Sequence, residues 1–196
     1  MNHKVTSRQK LLDSEGMLTE PGWANQLIFD YSPFDVKANK MRIKEWDYYI
    51  IIDKDFAFST LISDNACLYD FVNAKKYVGI TPLVMPNGKL NLPADSSKGD
   101  IYFKSMTSQL AYIHEKDHRR LTGKFKACDV EFDIRLEKFP DDDTMVIATP
   151  WKDDKKAFYY NQKINCMPAS GYVRFNGKTY NFSPDTHFAT LDWGRG

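Results

Sequence analysis

The residue types best suited to chemistry are His114 and His118, set in the run His114-Glu115-Lys116-Asp117-His118. On a helix, two histidines at this spacing share one face and bind zinc, and the glutamate acts as base for a metal-bound water. The flanking residues do not read as a helix. Leu110, Tyr112 and His114 alternate with Ala111 and Ile113, and Leu121, Gly123, Phe125 and Ala127 alternate with Thr122, Lys124 and Lys126. Alternation of period two belongs to strands. The intervening residues therefore read as a hairpin turn, and no metal site is expected from His114 and His118.

A second set lies near the two ends of the main run. Asp47 and Tyr48, in Glu45-Trp46-Asp47-Tyr48-Tyr49, offer a carboxylate and a phenol for proton transfer. Asp192 and Arg195, in the closing Leu191-Asp192-Trp193-Gly194-Arg195-Gly196, add a second carboxylate and a cation that could stabilise charge. Each has a structural alternative: Asp47 on the solvent side or bonded to a tyrosine, and Asp192 with Arg195 as an ion pair. His187 stands alone on a strand and reads as a structural histidine. Cys67, Cys128 and Cys166 are odd in number, widely spaced and without a Cys-x-x-Cys, which argues against a disulfide framework or a cysteine zinc site. No cofactor is implied.

Short extended segments must position these residues. Val130, Phe132, Ile134 and Leu136 alternate with Glu131, Asp133, Arg135 and Glu137, as in an antiparallel strand with one wet face. Trp46, Tyr48, Ile50 and Ile52 share one face of their segment, as do Phe56, Phe58, Thr60 and Ile62 of the next. Further strands are expected over 66–73, 76–84, 101–107, 109–115, 119–127, 144–149, 157–166, 171–175, 178–182 and 186–192. Turn signals fall between them at 85–89, 93–100, 140–143 and 152–156, and Asn176-Gly177 fits a type I′ hairpin. The one helix candidate is 7–13. The fold expected is all-β, an antiparallel calycin- or lipocalin-like barrel or a strongly bent sandwich with little helix. Residues 1–196 form a single domain in this reading, with 1–44 an arm and first turns and 45–196 the main strands.

Composition narrows the function classes. With 27 basic and 26 acidic residues the net charge is +1, too balanced for nucleic-acid binding. The longest apolar run, Tyr48 to Ile52, is far below the ~20 residues of a membrane span, and no signal peptide is seen, so a cytoplasmic location is expected. Thirteen Phe, eleven Tyr and four Trp suggest a lined cavity for an apolar or lipid-like small molecule. Trp46, Phe56, Phe58, Phe132 and Tyr160 would line it, with Trp151 at its mouth and Trp193 near the chain's last strand. The alternatives are an acid–base enzyme using Asp47, Tyr48, Asp192 and Arg195, and a structural domain with a packed interior.

The segments Gly22–Ala24, Glu45–Ile52, Val84–Gly88, Cys166–Phe182 and Phe188–Gly196 together resemble the domain of unknown function 2804 family, most specifically in Trp46-Asp47-Tyr48-Tyr49 and the closing Leu191–Gly196. That family looks like a remote relative of the calycin-like AttH and carotenoid hydratase proteins, which pair two antiparallel barrels. The resemblance implies that a second barrel domain follows in the same protein. Under that implication, any lipid- or isoprenoid-modifying site would lie between the two barrels, with Trp193 and Arg195 touching both.

Overall fold

A computed structural model describes residues 3–62, 65–80, 90–139 and 141–196. Fifteen strands are present among them. In the first half these are β1 (Gln9–Lys10), β2 (Gly22–Ala24), β3 (Phe29–Asp30), β4 (Glu45–Ile52), β5 (Phe56–Leu61), β6 (Asn65–Asp70) and β7 (Lys75–Ile80). The second half supplies β8 (Ile101–Lys104), β9 (Ser108–His114), β10 (His118–Phe125), β11 (Val130–Glu137), β12 (Met145–Pro150), β13 (Phe158–Phe175), β14 (Lys178–Phe182) and β15 (Phe188–Arg195). A single 3₁₀ turn, Lys126–Cys128, links β10 to β11.

The main sheet runs β7-β6-β5-β4-β15-β13-β11-β10-β9-β8, with β12 and β14 also on β13 and β2 on β12. All these pairings are antiparallel, while the small β1–β3 pair and the isolated Lys4–Trp23 bridge are parallel. The ten-strand path curls strongly into a half-barrel, which makes the fold all-β as the alternation predicts. Two meanders, β4 to β7 and β8 to β11, form its wings, because strands joined by tight hairpins pair with their sequence neighbours. Polar side chains close several of those hairpins. Asp53 Oδ1 accepts from the amides of Asp55 and Phe56, Asp70 Oδ1 from that of Asn73, and Ser105 Oγ from that of Ser108. Asn176 and Gly177 have φ of 47° and 76°, the positive pair that a type I′ turn requires.

Strand β13 carries both wings. Its first part pairs with β12 and β15, and its second with β11 and β14. Between them the register shifts from Ile164 to Met167, around Cys166 at φ 59°. An extra residue of this kind bends a strand and increases its twist. The expected strands over 157–166 and 171–175 are therefore one bent strand. The expected helix over 7–13 is absent: Gln9–Lys10 is extended and pairs with Phe29–Asp30. In that short stretch Leu11 and Leu12 are both buried, so adjacent rather than helically spaced positions face the core. The second half of the strand expected over 76–84 and the turn at 85–89 lie outside the described residues.

Rings from the two wings, and from β14, meet in the interior. Phe58 and Phe132 have centroids 4.9 Å apart, Tyr49 and Tyr112 5.1 Å, and Phe56 and Tyr180 5.2 Å. Such offset and edge contacts add to simple burial of area.

Candidate functional site

The site is built on the pair β4–β15, whose register sets Tyr48 opposite Asp192, Asp47 opposite Trp193, Trp46 opposite Gly194 and Glu45 opposite Arg195. Side chains alternate across a strand, so each strand contributes to both faces. Asp47, Tyr49 and Ile51 point inward with Trp193 and Arg195, while Trp46, Tyr48 and Asp192 point outward. This reverses the face expected for Trp46 and Tyr48. Both faces of β4 carry large apolar groups, so the alternation gives the period without the direction. What decides it is that Arg195 waits inside for Asp47.

Inside, Arg195 is fully buried and its Nη1 donates to Asp47 Oδ1 at 2.9 Å and to the carbonyl of Trp46 at 3.0 Å. Its Nη2 donates to the carbonyl of Pro93 at 2.8 Å, and its guanidinium lies over the Trp193 ring at 4.4 Å. Burial holds the Asp47 carboxyl above its ordinary range, and Arg195 and then Arg119 offset only part of that rise. Arg119 is itself buried, donating to the carbonyl of Ser96 at 2.5 Å and to the Tyr49 hydroxyl at 3.4 Å. Two guanidiniums thus grip the loop through Pro93 and Ser96. The hydroxyls of Tyr112 and Thr60 lie 3.0 Å apart in the interior, and the Tyr112 ring packs edge-on against that of Tyr49.

Outside, the Trp46 indole is fixed on three sides. Its Nε1 donates to Asp192 Oδ1 at 3.1 Å, and its ring lies 5.9 Å from that of Tyr159. Beneath it is Gly194, where an added Cβ would fall 2.0 Å from the indole. Only a residue without a side chain allows that approach. Asp192 also accepts from Asn161 Nδ2 at 2.7 Å and from the Lys163 ammonium. Burial would raise the Asp192 carboxyl, but the bonds from Lys163, Trp46 and Asn161 outweigh it and hold the pKa below the ordinary value.

Every residue of the closing Asp192–Arg195 run therefore has a partner in Glu45–Tyr49 or in the core. The two most distinctive segments of the sequence are a single pair of strands. The chain belongs to the DUF2804 family. The match to this domain of unknown function spans residues 2–196. No curated protein and no solved structure matches the chain, so no named relative supports the link to AttH-like or carotenoid hydratase proteins.

On the outer face of this DUF2804 domain a cleft of about 810 Å³ opens beside Trp46. One wall is the segment 36–44 before β4, with Val36 and Met41, and the other is the 151–157 loop after β12, with Trp151. Tyr159 and Phe158 line the cleft between them. Met41 and Trp151 are 70% and 63% exposed, which makes them available to a ligand rather than to the core. The backbone of Lys44 pairs with that of Gly196 in both directions, tying the first wall to the end of β15.

The remaining sequence candidates are distributed as follows. Phe56, Phe58, Phe132, Tyr160 and Trp193 are buried among one another in the core, and the Tyr160 hydroxyl donates to the carbonyl of Phe29 at 3.0 Å. Trp46 and Trp151 are brought together on the outside. Asp47 with Arg195, and Tyr48 with Asp192, lie on opposite faces of one sheet. His114 ends β9 and His118 begins β10, so the histidine pair spans a hairpin rather than a helical turn. Burial, then the nearby charges of Arg119 and Lys138, push His114 down to about 4. His187 is buried with Nε2 3.5 Å from Asp53. Sequence reading missed Arg119 and the 36–44 wall. Arg119 sits in a charged run that looks solvated, and its inward position is set only by strand register.

Proposed function

We propose that this domain binds an apolar small molecule in the outer cleft, with Trp46, Trp151 and Tyr159 as its aromatic contacts. The observation that carries the reading is the cradle of Trp46. A large indole is immobilised by Asp192, Gly194 and Tyr159, and it still borders an open, partly apolar cleft. Immobilised aromatic surface lowers the ordering cost of binding. The cleft volume falls within the range of small-molecule sites. Binding is favoured over acid–base catalysis because Asp47 and Asp192 are engaged by Arg195 and by Trp46, Asn161 and Lys163.

The test is a fluorescence titration with N-phenyl-1-naphthylamine, a neutral apolar probe. Saturable binding at one site is expected, and Trp151→Ala should weaken it about tenfold, the loss typical of an aromatic hot spot. Because Trp151 is largely exposed, the variant should keep its fold, checked by circular dichroism. Absent binding, or binding indifferent to Trp151→Ala, would refute the reading.

A further inference from the structure

The cleft is asymmetric in charge. Lys37, Arg42 and Lys44 stand on one wall and Lys152 and Lys156 on the other, against Asp153 and Asp154 alone. Five cations and two anions give a local charge of +3, whereas the whole chain carries only +1, so the rest of the protein is net −2. None of these five bases forms an ion pair among the described residues, although ion pairs are frequent elsewhere. On the outer face of β10 and β11, for example, Arg120 pairs with Asp133 and Lys124 with Glu131. Of the two acids, Asp154 is partly committed, since its Oδ1 accepts from the Lys156 amide at 3.0 Å within the loop turn.

Resting on the binding reading above, we infer that the ligand is an amphipathic anion. Its apolar body lies on Trp46 and Trp151, and a carboxylate, sulfonate or phosphate faces the basic rim. An apolar floor and a net-basic rim read both parts of such a molecule. The rim charges are solvent-exposed, so each contributes modestly and salt weakens them. Cations on both walls can nevertheless approach a single anionic group from two sides, and that group also lowers the mutual repulsion of the five bases. A neutral ligand gains nothing from either effect.

The experiment compares two probes that share an N-phenylnaphthylamine framework: neutral N-phenyl-1-naphthylamine, and 8-anilinonaphthalene-1-sulfonate, which adds one sulfonate. The sulfonate probe is expected to bind about tenfold more tightly at low salt, the summed effect of several exposed charge pairs. That advantage should disappear in about 0.5 M salt. A double variant, Arg42→Glu with Lys152→Glu, should bring the ratio of the two affinities, measured in the same protein, to about one. Equal affinities for the two probes, or a sulfonate advantage that survives the double variant, would overturn the anion inference while leaving the cleft intact. If Trp151→Ala alters neither probe, the cleft reading itself fails.

Discussion

Single residues in this domain are held by chemistry that their neighbours impose, and His114 is the clearest case. Its ring lies 3.4 Å from the Arg119 guanidinium, partly buried at the end of β9. Burial and the two nearby cations depress its pKa from 6.5 to about 4. The unfolded chain therefore binds an extra proton between those values, and the folded one does not. Stability is full above about pH 6.5 and declines as pH falls toward 4. Discounted for partial exposure, the loss should be about 2 kcal/mol. Urea denaturation of the wild type across that window should show the decline, and His114→Asn should flatten it. An unchanged slope in the variant would mean that other groups govern the acid limb.

At the scale of elements, the β4–β15 pair is secured by Arg195 inside and Trp46 outside. Arg195→Met takes from buried Asp47 its hydrogen-bonded cation and leaves only the more distant Arg119, which costs about 3–5 kcal/mol. The double variant Arg195→Met with Asp47→Leu removes both charges and should recover most of that loss, because an apolar pair of similar volume needs no desolvation of ions. Thermal or urea unfolding of the three proteins reads the difference. If the double variant is as unstable as the single, the lost bonds to the carbonyls of Trp46 and Pro93 matter more than the ion pair. Strand existence was legible because alternation and turn residues are local signals. Val130–Glu137 and Lys178–Phe182 stand as read. The direction of β4 was not legible, since Trp46 and Tyr48 are as apolar as Tyr49 and Ile51. The fusion of 157–166 with 171–175 was hidden too. A bulge at Cys166 resembles a strand end when only the local pattern is read.

For the molecule as a whole, the consequence of the half-barrel is a division of labour between its faces. The inner face spends its rings on contacts between the wings, such as Phe58 with Phe132 and Tyr49 with Tyr112. The aromatic richness of the sequence suggested a lined interior. Phe56, Phe58, Phe132 and Tyr160, expected to line it, are buried in the core, and the cleft proposed for a ligand lies outside, where the 36–44 segment and the 151–157 loop flank Trp46. The candidate site was legible in part, through Trp46 and Trp151. Their proximity was not, because 105 positions separate them in sequence and only the sheet order joins them. The four tryptophans offer a direct reading of the division. Trp23 is half-exposed beside Lys4, Trp193 is buried in the core, and Trp46 and Trp151 border the cleft. Fluorine NMR of 5-fluorotryptophan-labelled protein, with resonances assigned by single Trp→Phe variants, should show Trp46 and Trp151 shifting on addition of N-phenyl-1-naphthylamine while Trp23 and Trp193 stay in place. A spectrum in which Trp193 moves and Trp46 and Trp151 do not would place the ligand in the interior and contradict an outer cleft.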